Sequence, residues 1–210
     1  MPASLSFLKP LVFLALEKGI PAQTLAVLLL FPLVVVLIAA ARYLVGIKSL
    51  GIFTPGILAV VFLQTGLKFG LVFFFLVWGA VTAGRVLTKG FHLHYLARMS
   101  LLIWGVSLVV FVSLFWLKIS LFPLLVLILL GENLVEVQIS RGEKEAINLI
   151  LETLILALAG WGILSWEGLQ KAALSQPEIF VLGTAILNIF IGRFTGLRLL
   201  EYKRFRKLIK

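Results

Sequence analysis

Between Gly19 and Ala41 the chain runs 23 residues without a charged side chain. A helix needs about 20 such residues to cross the hydrocarbon core of a bilayer, so this window alone dictates a membrane setting. Six further apolar windows follow: Ser49–Leu67, Phe69–Gly84, Met99–Leu117, Ile119–Gly131, Ala146–Trp166 and Ile179–Gly192. They belong to a chain of 210 residues that is 61% hydrophobic and 13% charged, more apolar surface than a water-soluble domain can hide. The Leu/Val/Phe runs do not alternate, so their backbone groups must pair within helices rather than across a closed barrel. The expected fold is an all-α integral membrane domain of seven transmembrane helices. Residues 1–18 read as an interfacial N-terminal helix, 19–197 as the seven-helix domain and 198–210 as a basic cytoplasmic tail helix. Leu11–Leu16 is too short for a leader's apolar core, and Glu17-Lys18 follow where a cleavage site would need small residues.

The net charge is +10, from 19 Lys and Arg against 9 acidic residues. The basic residues cluster at the ends of the apolar windows, which favours loops retained in the cytoplasm over nucleic-acid binding. The tail holds Arg193, Arg198, Lys203, Arg204, Arg206, Lys207 and Lys210. Counting back from it through seven crossings puts 14 of the 19 basic residues on its side, leaving Lys9, Lys18, Lys68, Lys118 and Lys171 on the other. That bias gives an N-out, C-in orientation in the inner or plasma membrane. Tyr43, Tyr95 and Tyr202 then fall at inner ends, and Trp116 and Trp166 at outer ends. Cysteine is absent, which excludes disulfides, iron–sulfur clusters and thiol catalysis.

Two windows are short and begin with proline. LGIFTPGILAVVFLQTG and FPLLVLILLGENL share a plan: a proline, a brief apolar run, then a polar pair. Pro55 and Pro123 are 68 residues apart, as are the pairs Gln64-Thr65 and Glu132-Asn133. Each is followed by two more windows, so the chain reads as one leading span plus two three-span repeats. An odd number of spans per copy turns one copy upside down relative to the other. Inverted repeats with short Pro-started helices point to a site where the copies meet, which makes Pro55, Gln64, Thr65, Pro123, Glu132 and Asn133 candidate binding residues. The alternative is two ordinary short helices in a thin bundle. The stretch from Glu132 to Glu145 reads as a short helix, a turn at Arg141-Gly142, then the next helix with Glu143 and Glu145 in its first turn.

Glu152 lies about two turns inside the sixth window, where a carboxylate must be paired, protonated or hydrated. It is a candidate for proton relay or substrate contact; a structural ion pair with Arg193 or Arg85 is the alternative. Arg193, Thr195, Arg198 and Glu201 lie in GRFTGLRLLEYKRF, where arginines at a membrane boundary suit phosphate, carboxylate or lipid headgroups. His92 and His94 lack the further ligands a metal needs, so neither metal nor cofactor is expected. Phosphate-binding loops, dinucleotide fingerprints and Ser/His/acid groupings are absent, and the chain is not read as an enzyme. Gly66–Gly70 and Gly192–Gly196 have the spacing of close helix contacts.

Two stretches carry a family likeness. RYLVGIKSLGIFTPGILAVVFLQTGLKFGL, Arg42–Leu71, and GRFTGLRLLEYKRF, Gly192–Phe205, resemble the bacterial seven-transmembrane domain usually fused to an inactive transglutaminase-like domain. The segment with Arg141-Gly142 and Glu145-Ala146 fits it too. More distantly, the first repeat is similar to the membrane protein of poly-γ-glutamate capsule synthesis. The resemblance implies an association with ATP-grasp ligases that join amino acids, often glutamate. The chain would then anchor a cytoplasmic ATP-grasp ligase or pass its product outward. The sequence departs from that pattern in showing no fused transglutaminase-like domain, so the expectation is either that a separate polypeptide supplies it or that the function has drifted. Anionic lipid is the other expected partner. The competing reading is an independent secondary transporter of a small anionic solute, with a site between Pro55 and Pro123 and coupling through Glu152.

Overall fold

The computed structural model describes residues 7–91, 94–115 and 121–193, and among them every regular element is helical. In chain order these are α1 (Leu8–Glu17), α2 (Ala22–Ala40), α3 (Phe53–Thr65), α4 (Leu67–Thr88), α5 (Tyr95–Ser113), α6 (Leu121–Ser140), α7 (Glu143–Ser165), α8 (Glu167–Ser175) and α9 (Pro177–Gly192). A π-helical turn, Ala41–Val45, extends α2. Among the described residues, five helices are long and apolar enough to cross a membrane, and the bent pair α8–α9 makes a sixth candidate. Their outward faces are those of a protein dissolved in lipid: Trp104 and Phe111 on α5, Phe115 just beyond it, and Ile186 and Phe190 on α9 are all exposed. The protein is therefore a multi-pass, all-α membrane domain.

The chain divides into two compact units, Met1–Ala59 with Leu154–Lys210, and Val60–Thr153. In the first unit α2 packs against α8 and α9, and α1 lies against the same pair. Its core includes Leu30, Val34 and Ile38 of α2 with Ala157 and Leu164 of α7. Gly160 is the tightest point of that core. A methyl group on it would lie 2.8 Å from Val34 Cγ1 and 3.0 Å from the Ala59 Cβ. Both neighbours are short side chains on helices, so relief requires backbone movement.

Two caps tie short helices into this unit. The first backbone N–H groups of a helix have no intrahelical acceptor. In α1, the Glu178 carboxylate at the start of α9 supplies one, accepting from Leu8 N–H at 2.9 Å and Lys9 N–H at 2.8 Å. At the C-terminal end of α7, the Gln170 amide on α8 donates to the Leu164 carbonyl. The helix α8 was not expected from the apolar windows, because its nine residues carry Glu167, Gln170 and Lys171 and only one buried residue, Ala173. Pro177 disfavours helical geometry at Gln176, whose φ and ψ are −136° and 61°, and α9 leaves α8 at 102°.

In the second unit α4, α5 and α6 pack against one another. Phe73, Phe74, Val77 and Val81 of α4 meet Leu102, Val106 and Val110 of α5 and Leu127 and Leu134 of α6 in its core. Gly66, at φ +79°, reverses the chain between α3 and α4. Gly70 then sits so near α3 that an added Cβ would lie 2.5 Å from Phe62 Cδ1, the close contact the Gly66–Gly70 spacing suggested.

The two proline-led segments differ in length. The first, α3, has 13 residues and is about 20 Å long at 1.5 Å per residue, too short for a bilayer of about 30 Å. Pro55 sits in its first turn, where its missing N–H costs nothing, and Pro55, Gly56, Leu58, Ala59, Val61 and Phe62 are buried in protein. The second does not stop at Gly131. It continues as one 20-residue helix through Glu132 and Asn133 to Ser140. Nothing after Gly131 breaks a helix, and Leu134, Val135, Val137 and Gln138 continue the buried face. The chain turns where the sequence placed the turn, at Gly142, φ +77°.

Two outcomes test this packing. Gly160→Ala is expected to lower the thermal midpoint of the purified protein in detergent, a loss of about 1–3 kcal/mol. Gly162→Ala, with nothing within 4 Å of the added methyl, should leave it unchanged. An unshifted midpoint for Gly160→Ala would mean that α2 and α3 can retreat. Glu178→Ala should speed hydrogen exchange several-fold at the Leu8 and Lys9 amides while α2 amides keep their protection. Unchanged exchange at both amides would show that the carboxylate does not cap α1.

Candidate functional site

The sequence-derived candidates are spread along the chain. Pro55 is in the first unit, as is Arg193, exposed at the C-terminal end of α9. The second unit holds Gln64, Thr65, Pro123, Glu132, Asn133 and Glu152. Pro123 is buried in the first turn of α6, and Gln64 is exposed at the end of α3. Thr65 turns back on its own helix, its hydroxyl donating to the Val61 carbonyl at 2.8 Å. Glu132 and Asn133 are exposed on the outward stripe of α6, which is apolar at Phe122, Leu125 and Leu129 and polar from Glu132 to Glu136. Glu152 is partly buried on α7. Thr195, Arg198, Glu201 and the basic tail lie outside the described residues.

A different group of residues forms a cavity. In the second unit, α4 and α6 end and α5 and α7 begin around a space of about 340 Å³. Trp78, Thr82, Arg85 and Val86 of α4 line it, with Lys89 just beyond that helix. These positions are four, three, one and three residues apart, so they form one stripe down a single helix face. The stripe runs about 16 Å, from Lys89 at the helix end to Trp78 well inside. Across from it stand Arg98 of α5, Gln138 of α6, and Ala146 and Ile147 of α7.

The lining has three cations, Arg85, Lys89 and Arg98, and among the described residues no carboxylate. The helix ends do not alter that sign. Each terminus carries about half an elementary charge; two N-termini and two C-termini meet here, and their contributions offset. The side chains therefore set the potential, and it is positive. Nearby, Glu145 is turned away, paired with Arg141 at 3.6 Å on the surface.

Hydrogen bonds fix the deeper polar groups. The Thr82 hydroxyl donates to the Trp78 carbonyl at 2.8 Å, leaving its oxygen free to accept. Gln138 Nε2 donates to that oxygen at 3.0 Å. This order orients the amide, because only nitrogen can donate to a hydroxyl whose proton is committed elsewhere. Gln138 is 4% exposed and its Oε1 has no partner. Trp78 Nε1 and Arg98 Nε are likewise shielded and without partners, although Arg98 Nη2 donates to the Phe91 carbonyl at 3.3 Å.

Such a cavity can hold an anion by charge and by directed hydrogen bonds. Sequence reading paired Arg85 and Arg98 with Arg193 and Arg198 as residues to meet an anionic product or partner and counted Lys89 among the cytoplasmic cations, but it passed over Trp78, Thr82 and Gln138 as lining residues. The polar spacing along α4 was the available signal. No curated protein and no solved structure matches the chain. A family model does, over residues 10–209. With five long apolar helices, the buried α3 and the final helix α9 giving seven apolar helical segments, the chain belongs to the family described as 7 transmembrane helices usually fused to an inactive transglutaminase.

Proposed function

We propose that this domain is the non-catalytic membrane subunit of an ATP-grasp-ligase-linked peptide or polyglutamate synthesis and export system, acting as anchor or conduit. The observation that carries the reading is the basic cavity at the shared end of α4, α5, α6 and α7, with Arg85, Lys89 and Arg98 and no acidic lining residue described. A polyglutamate chain carries a carboxylate at every residue, so a concentration of cations without acids complements it. In the N-out, C-in orientation that the distribution of Lys and Arg favours, this end of the helices faces the cytoplasm. A cytoplasmic ligase would then dock beside the cavity and release its product into it. A separate transglutaminase-like protein would act on the opposite side of the inner or plasma membrane, and anionic lipid would hold the basic tail.

Two measurements test the proposal. Purification of the tagged chain from its native membrane should bring down a cytoplasmic ATP-grasp ligase. The purified chain should bind a short γ-linked oligoglutamate, and Arg85→Ala should weaken that binding about tenfold or more, since a hydrogen bond to a charged group contributes about 1.5–3 kcal/mol. Lys171→Ala, on the exposed face of α8, should leave it unchanged. Transport of a small anionic solute into liposomes by the chain alone, with no ligase recovered and transport stopped by Glu152→Gln, would replace this reading with that of an independent transporter.

A further inference from the structure

We infer that the cavity recognises the carboxylate end of an amide-bearing molecule, an N-acyl amino acid or the terminal residue of a peptide, through its carboxylate and its neighbouring N–H together. The inference rests on the anion-binding reading of this cavity and narrows it to a chemical class.

Charge alone does not select among anions. Arg85, Lys89 and Arg98 would attract inorganic phosphate, a lipid headgroup or a carboxylate alike. The discriminating groups are the three shielded polar atoms without partners, Trp78 Nε1, Arg98 Nε and Gln138 Oε1. Two are donors, and the third is an acceptor whose amide nitrogen is already engaged with Thr82 Oγ1. The relay Gln138 Nε2 to Thr82 Oγ1 to the Trp78 carbonyl engages the amide nitrogen and leaves its oxygen without a partner. A simple carboxylate or a phosphodiester satisfies the donors but offers nothing to Gln138 Oε1. A carboxylate with an adjacent amide N–H satisfies all three.

The energetic asymmetry favours such a ligand. A shielded polar atom without a partner is destabilising, so a molecule that pairs it gains more than one that only neutralises charge. Gln138 is the most telling of the three, because it is 4% exposed and its nitrogen is already engaged. Since these atoms are covered, a ligand engages them by drawing the partly exposed side chains of Arg98 and Trp78 toward itself. Val86, Ala146 and Ile147 supply an apolar wall for the acyl or side-chain carbon.

The test compares two probes on the full chain in phosphatidylcholine nanodiscs by titration calorimetry. N-acetylglutamate carries the amide N–H; 2-acetoxyglutarate has an ester oxygen in its place and the same carboxylates. The wild type should bind N-acetylglutamate about tenfold more tightly than the ester, and Gln138→Met should bind the two equally. Equal binding of both probes by the wild type would overturn the N–H recognition while leaving the anion reading intact, and it requires no variant to fold. Failure of both probes to bind would overturn the anion reading of the cavity, and this inference with it.

Discussion

Lipid cannot hydrogen-bond a backbone, and that constraint orders the whole chain. Hydroxyl side chains on the long helices obey it by turning inward on their own helices. Thr88, Ser107 and Thr153 each donate to the carbonyl four residues earlier, and Ser113 and Thr184 to the one three residues earlier. Pro32, inside α2, removes one backbone donor in a helix whose other bonds persist. The short helix α3 is the sharper case. It cannot reach both faces of a bilayer, so its irregular approach through Gly46 and Gly51, both at positive φ, requires protein around it. Ser49 and Leu50 of that approach are buried, as are Pro55, Gly56, Leu58, Ala59, Val61 and Phe62 of the helix, while Lys48, Gly51 and Phe53 are exposed.

The same rule explains what could be read from the sequence. Long uncharged windows leave little choice but helix, and α2, α4, α5 and α7 fall where those windows lie. The half-length of α3 was visible in its proline and its polar end. The extent of α6 was not, because Gly131-Glu132-Asn133 looks like the end of a membrane window. A change of polarity marks a change of environment, however, and not the end of hydrogen bonding. Glu132 and Glu136 are good helix formers, and the buried face simply continues beneath them. For α8 the reason is different: a nine-residue amphipathic helix stands on tertiary caps and packing, which no apolar window records.

The cavity was hidden for a third reason. Its residues come from four helices, and none is unusual where it stands. Arg85 and Lys89 near the end of a span read as ordinary boundary cations, and Thr82 as one more inward-turning hydroxyl. Their meaning arises only when α5 brings Arg98 and α6 brings Gln138 against the same stripe. Close packing makes that register definite. Gly84 lies on α4 beside Arg85, and an added Cβ there would come within 2.6 Å of Leu102 Cδ2 on α5, one turn beyond Arg98. The contact that seats α5 on α4 thus also fixes where the two arginines start.

Three cations around one space are a cost to the folded protein, since like charges repel, even with Arg85 and Arg98 half-buried and Lys89 exposed. The rest of the second unit avoids such costs with apolar contacts and hydroxyls bonded within their own helices. The lining of the cavity does the reverse, gathering cations and adding three shielded polar atoms without partners. A carboxylate could have relieved the repulsion, and Glu145 is only one residue from Ala146, yet it faces outward to Arg141. A place where local stability is given up in a fold that otherwise protects it is the physical signature of a binding site. Under the proposed reading the partner is constrained from both directions: negative charge by the cations, and an N–H by the Gln138 oxygen.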